Sequence, residues 1–195
     1  MKKIYLVRHC EYSNPRNILV GRLPVALSKN GVKHAERLRK FFSDKHIDII
    51  FSSAVKRCEQ TSTIISDAKI PIQFDHRLLE TFSAYQGYWG GYKDGELDWT
   101  EFFSHRSELG GEGAHAIQAR MVDFFADIQK RDEETMLVCS HGDPLYLLYL
   151  HLLKRKNISD ADIYGELPDY QPKGSIREIT WNSATDNTIS DFIEI

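Results

Sequence analysis

The stretch Ile4-Tyr5-Leu6-Val7-Arg8-His9-Cys10-Glu11 sets four consecutive apolar residues directly before an arginine and a histidine. An unbroken apolar run, unlike an alternating one, is the pattern of a strand covered on both faces, as in parallel sheets. Open sheets of that kind bind ligands beyond the carboxyl ends of their strands. The stretch therefore predicts a buried strand over residues 4–7 that delivers Arg8 and His9 to such an edge. The arginine can grip a phosphate, and the histidine can attack one, bind a metal or carry a proton.

Working outward, the same form recurs. Residues 47–51, apolar but for Asp48, run into Ser52-Ser53-Ala54-Val55-Lys56-Arg57, and residues 136–139 run into Ser140-His141-Gly142. A short strand is predicted over 72–74, after Pro71. Between these, residues 32–45 carry Ala35, Leu38, Phe41 and Phe42 at helical spacing, and 55–68 carry Ile64 and Ile65. Residues 114–129 place Ile117, Met121, Phe124, Phe125 and Ile128 on one helical face. Pro144 suits the first turn of an apolar helix running to residue 153. Residues 175–181 and 188–195 predict a final antiparallel pair. From 76 to 113 the periodicity fails, and aromatics and glycines crowd together, among them Phe82, Tyr85, Tyr88, Trp89, Trp99 and Phe103. That span predicts a long lid-like excursion. Strand–helix alternation implies an α/β fold with a mostly parallel central sheet, helices on both faces and an antiparallel last pair. No repeat or linker divides the chain, so residues 1–195 are expected to form a single domain.

Composition narrows the class. The 195 residues are 42% apolar and 27% charged, as in soluble globular proteins, and a net charge of −3 disfavours general nucleic-acid binding. Cys10, Cys58 and Cys139 are scattered and odd in number, which predicts free thiols and a reducing, cytoplasmic setting. Arg8 interrupts the apolar run after Lys2 and Lys3, so no signal peptide is expected. The apolar stretch 145–153 is too short to span a bilayer.

If the strands ending at Arg8 and Ser140 are parallel neighbours, His9 and His141 meet at one edge. Arg57, in the first turn of a helix, joins them there. Two guanidiniums and a helix N-terminus match a phosphate dianion. Two other chemistries share these residues. His9-Cys10 followed by five residues to Arg16 fits the signature of cysteine-dependent phosphatases, yet Glu11 adds negative charge to that loop and Pro15 removes an amide donor. Cys10, Cys139, His9 and His141 are a third candidate set, for a zinc ion, but they show none of the usual ligand spacings. Taken singly, His105 and His115 read as solvated, Cys58 and Cys139 as packing residues, and Lys154-Arg155-Lys156 as a solvated helix end.

Four motifs in order carry a resemblance. They are Arg8-His9-Cys10-Glu11, Ser53-Ala54-Val55-Lys56-Arg57-Cys58-Glu59-Gln60-Thr61, Arg77-Leu78-Leu79-Glu80 and Ser140-His141-Gly142, with Gly21-Arg22 through Leu27-Ser28-Lys29-Asn30-Gly31 between the first two. Together these resemble the histidine phosphatase superfamily, in its phosphoglycerate-mutase-like branch. The resemblance implies a phosphomonoester hydrolase acting on a small phosphorylated metabolite through a phosphohistidine on His9. It implies Glu80 as the proton donor and Arg8, Arg57 and His141 as catalytic groups holding the phosphoryl oxygens. It implies no metal and no cofactor, and the charge and the short apolar stretches already noted lead to no expected nucleic-acid or membrane partner. The family's mutases are usually longer, which favours a phosphatase; the alternatives are mutase-type phosphoryl transfer or a phosphate-binding scaffold of the same fold. The chain departs from the pattern at Cys10, where the family has glycine, and at Pro15, where many members carry a phosphate-touching asparagine. Asn14 or Asn17 is the candidate replacement, and the expected phosphate-binding set is Arg8, Arg57, His141, Asn14 and Gly142.

Overall fold

The computed structural model describes residues 1–87, 108, 110–155, 157–163, 167, 169–183 and 186–195. Six strands form one sheet in the order β3-β2-β4-β1-β5-β6. They are β1 (Lys2–Arg8), β2 (Ile49–Ser52), β3 (Ile72–Phe74), β4 (Thr135–Ser140), β5 (Ile176–Ser183) and β6 (Asp186–Ile189). The first four are mutually parallel, β5 runs antiparallel to β1, and β6 antiparallel to β5. The α/β class, the mostly parallel sheet and the antiparallel final pair are thus as expected.

Among the described residues, four helices cover the sheet: α1 (Lys29–Phe42), α2 (Lys56–Ser66), α3 (Ala114–Ile128) and α4 (Gly142–Leu152). The run 4–7 is apolar throughout because β1 feeds two cores. Ile4 and Leu6 pack with Phe51, Val138, Ile117, Met121 and Phe124 on one face. Tyr5 and Val7 pack with Ile50, Leu137, Ala35, Leu38, Cys58 and Cys139 on the other. The alternation within an all-apolar strand is the pleat itself. At about 25 cal/mol per Å² of apolar area, each such side chain contributes on the order of 1.5–3 kcal/mol by leaving water.

Element ends differ from the sequence expectation by identifiable causes. Helix α1 begins earlier than residue 32, because the Ser28 side chain caps it by accepting from the Gly31 N–H (3.0 Å). Gly31 must be glycine: a Cβ there would lie 1.9 Å from the Glu11 carbonyl oxygen. Strand β6 begins at Asp186 and stops at Ile189, whereas residues 188–195 were expected; beyond it only an isolated bridge joins Ile193 to Ile176. A single 3₁₀ turn, His76–Leu78, lies at the head of the excursion. Tyr88, Trp89, Trp99, Phe103 and His105 fall outside the described residues, so the lid expectation is tested only at its ends. Among the described residues, no helix is long and apolar enough to cross a membrane.

The topology places the chemistry. β1 and β4 are adjacent and parallel, with Arg8 opposite Ser140, so their chains leave the sheet side by side. β2 pairs on the other side of β4, with Ser52 opposite Cys139, and releases the segment that becomes α2.

Candidate active site

His9 follows β1, His141 is the N-cap of α4, and Arg57 lies in the first turn of α2. All three are essentially enclosed: their exposures are 1%, 0% and 1%. The histidine rings meet edge to face with centroids 5.1 Å apart. One guanidinium ties the group together. Arg57 Nε donates to His9 Nε2 (3.1 Å), and Nη2 lies 2.9 Å from His141 Nδ1, 2.9 Å from the Gly21 carbonyl and 3.3 Å from Glu80 Oε2.

The partners settle the tautomers. His9 Nδ1 faces the Cys10 carbonyl at 2.8 Å, and a carbonyl only accepts, so Nδ1 carries the proton and Nε2 the lone pair. His141 is arranged the other way. Its Nδ1 meets the donor-only Arg57, and its Nε2–H donates to Ser53 Oγ at 2.8 Å. Burial, reinforced by the Arg57 charge, holds both imidazoles neutral, well below the usual histidine range. The Arg8 charge acts on both in the same sense.

Glu80 stands beside Arg57 and His141, with Oε2 3.5 Å from His141 Nδ1. Burial pushes its carboxyl up, and the charge of Asp143 adds to that; Arg57 and the Thr81 amide oppose it. The result favours a proton on the carboxyl. Arg8 donates through Nη1 to the Gln171 carbonyl (2.7 Å) and stacks over the Tyr170 ring at 4.9 Å. Among the described residues, the buried Arg8 Nε and Arg57 Nη1 have no hydrogen-bond partner. Buried donors are rarely left unpaired, and two of them on converging guanidiniums are suited to the oxygens of an anion.

The five residues expected to be catalytic, Arg8, His9, Arg57, Glu80 and His141, therefore lie at one sheet edge. The two remaining expectations behave differently. Gly142 is the first residue of α4, where the N–H has no intrahelical acceptor. A Cβ on it would lie 2.0 Å from the Tyr170 hydroxyl, so only glycine fits. The Asn14 side chain is closed onto its own loop: Oδ1 accepts from the Ile18 N–H (3.1 Å) and Nδ2 donates to the Ile18 carbonyl (2.9 Å).

The rival chemistries meet physical obstacles. Cys10 is fully buried in the α1/α2 core, and burial pushes its thiol up to about 12, so a thiolate is not on hand. Arg16 is exposed. Cys10 also has no positive φ, and its amide donates to Thr61 Oγ1 (3.2 Å), so the side chain strains nothing at that position. Ligand atoms of His9, Glu80 and His141 do lie within 4.8 Å of one another, the one such grouping among the described residues, and it contains no cysteine. The Arg57 guanidinium already sits against all three, and a divalent cation there would be repelled by it.

Several contributors were not singled out from sequence. Ser53 orients His141. Asp143 takes hydrogen bonds from Thr81 Oγ1 and the Tyr170 hydroxyl, both at 2.7 Å. Arg22 donates to the Glu80 carbonyl and to Glu112, which also receives Arg120 and the Phe82 N–H. Ser53 opens one of the quoted motifs, Arg22 lies within another segment quoted with them, and Asp143 directly follows a third. Tyr170 and Gln171 sit in an irregular stretch with no periodic or motif signal.

Comparisons with known proteins identify the family. The family model described as histidine phosphatase superfamily (branch 1) matches residues 4–165. Phosphoserine phosphatase 1 of Hydrogenobacter thermophilus is 32% identical over 166 residues, covering 78% of this chain and 77% of that protein. A 2,3-bisphosphoglycerate-dependent phosphoglycerate mutase of Cytophaga hutchinsonii is 29% identical, covering 84% and 81%. Among solved structures, Bacillus stearothermophilus YhfR superposes with a TM-score of 0.83 at 23% identity, over 98% of this chain and 95% of that one, a likeness of fold. With the motifs, the sheet and the site in agreement, the chain belongs to the histidine phosphatase superfamily, branch 1.

Proposed function

We propose that the protein is a metal-independent phosphomonoesterase that works through a phosphohistidine on His9, with residues 1–195 acting as one catalytic domain and a small-molecule phosphate ester as substrate. The observation that carries this is the neutral His9 with its protonated Nδ1 tied to the Cys10 carbonyl and its Nε2 facing the unsatisfied guanidiniums. An incoming phosphoryl dianion takes over the donors of Arg57 and the buried Nε of Arg8, and the Nε2 lone pair is released. Its charge also reverses the effect of the two arginines on the imidazoles, so His141 gains a proton and donates to an oxygen.

In the first step the Nε2–P bond forms and the P–O ester bond breaks, while the Glu80 carboxyl proton passes to the leaving oxygen. In the second a water oxygen bonds to phosphorus, the N–P bond breaks, and the water's proton returns to Glu80. Positioning and charge compensation supply most of the acceleration in phosphoryl transfer, and two arginines provide the latter without a metal.

The test is a quench with radiolabelled phosphoester. Wild type is expected to retain an acid-labile, base-stable label that maps to His9 and is absent in His9→Ala. Label on Cys10, or turnover abolished by a chelator, overturns the assignment. The likeness to a mutase motivates a second measurement. Product analysis with phosphoglycerate should show free phosphate; an isomeric phosphoester in its place identifies a mutase.

A further inference from the structure

A third cation stands at the same sheet edge. Lys173 lies in the turn that ends the irregular segment before β5. The neighbouring Gly174 N–H donates to the main-chain carbonyls of Arg8 (3.0 Å) and His9 (3.1 Å), and the Ser175 amide and hydroxyl both donate to the Pro172 carbonyl. Gly174 has φ +76°, and a Cβ on it would lie 2.3 Å from the His34 ring, so the position requires glycine. Lys173 is thereby fixed to the backbone that carries the nucleophile.

Its ammonium rests over the Tyr12 ring at 4.5 Å from the centroid. The same ring lies 5.2 Å from the Arg57 guanidinium carbon and 5.6 Å from the His9 ring. These distances keep Lys173 within about a Debye length, ~10 Å at 0.1 M salt, of the reacting centre. The side chain is exposed, and among the described residues it enters no ion pair. The Glu11 carboxylate, which acts on it at longer range, is held by the Ser28 hydroxyl at 2.6 Å. Desolvation of its ammonium, with smaller contributions from the Arg8 and Arg57 charges, lowers its affinity for its proton, and Glu11 opposes this. Arg8, Arg57 and Lys173 share this edge with Glu80, Asp143 and Glu11; Asp143 is engaged by the Thr81 and Tyr170 hydroxyls and Glu11 by Ser28. One phosphoryl group engages the two arginines, and the ammonium is left over.

We propose that Lys173 is a specificity residue that receives a second anionic group, a carboxylate or a further phosphate, on the alcohol portion of the phosphomonoester. The proposal rests on the phosphatase reading above. Tyr12 holds the ammonium at the rim, and a compact point charge accepts either anion without demanding a bidentate geometry. Esters with neutral alcohol portions bind through the phosphoryl group alone.

Matched esters test it. Phosphoserine is compared with phosphoethanolamine, which lacks only the carboxylate, and propanediol bisphosphate with the monophosphate. Wild type should prefer the member with the second anion in at least one pair, and Lys173→Met should reduce that preference about tenfold, a loss of one favourable charge contact. Lys173→Arg should retain most of it. An equal loss on both members of each pair, or an unchanged ratio, overturns the assignment. The same ratios are measured as dissociation constants on a His9→Ala background. There the outcome is independent of turnover, so failure of the phosphatase reading and failure of the Lys173 assignment are separable.

Discussion

His9 and His141 leave adjacent parallel strands through nearly the same local sequence, an apolar run, a histidine and a small residue, yet they present opposite nitrogens to the site. At the end of β1 a backbone carbonyl accepts from Nδ1–H, and the Nε2 lone pair points inward, as the proposed nucleophile requires. At the end of β4 the Ser53 hydroxyl takes the Nε2 proton, and Nδ1 points inward between Arg57 and Glu80. The lesson is that residue type and strand position bring a histidine to the edge, while the group behind it decides what it can do there.

The largest expected effect breaks this comparison at the nucleophile. His9→Ala should lower turnover of an aryl phosphate by about four orders of magnitude or more, the scale of losing a covalent nucleophile. His141→Ala should cost only about 10²–10³, as for one stabilising donor. Equal losses in steady-state assays would show that the two rings are not differentiated. Next comes the acid. Glu80→Gln should reduce turnover of alkyl phosphates by about 10²–10⁴, and that of p-nitrophenyl phosphate much less, because its leaving group needs no proton.

A subtler variant sharpens the account of Glu80. Asp143 raises the affinity of Glu80 for its proton, so Asp143→Asn should release that proton at lower pH. The alkaline limb of the kcat profile should then move acidward for poor leaving groups; a limb that stays in place denies the coupling. Cys10→Ala should keep activity within a few-fold and cost about 1 kcal/mol in denaturant unfolding, since it removes only a buried packing atom. The smallest effect concerns stability. Both buried histidines have folded-state affinities for protons below the unfolded value of about 6.5. Below that pH the unfolded chain binds protons that the folded one refuses, so their contribution to stability falls as pH drops from about 7 to 5. His141→Asn should flatten that slope in urea titrations across the same window.

Much of this was legible from residues in order. The run 4–7 reads as a strand because both faces of β1 are buried, and no solvent-side polar residue interrupts it. Arg57 reads as a clamp residue because the serines before it end a strand. Asn14 shows the limit: its residue type suits a phosphate, but its amide is satisfied by Ile18, a contact four residues away that no pattern signals. Cys10 shows it again. Beside an arginine and a histidine it looks reactive in sequence, and only its place in the α1/α2 core, which raises the thiol to about 12, makes it inert.

By itself the sequence determined the alternation of strands and helices and which polar side chains emerge where strands end, because periodicity and chain direction are local properties. The tertiary structure alone decided that β1 and β4 are neighbours, that one guanidinium reaches two histidines and a carboxyl, and that each ring presents a particular nitrogen. Those outcomes depend on burial and on partners dozens of residues away, which set proton positions through desolvation and hydrogen bonding that no local pattern encodes.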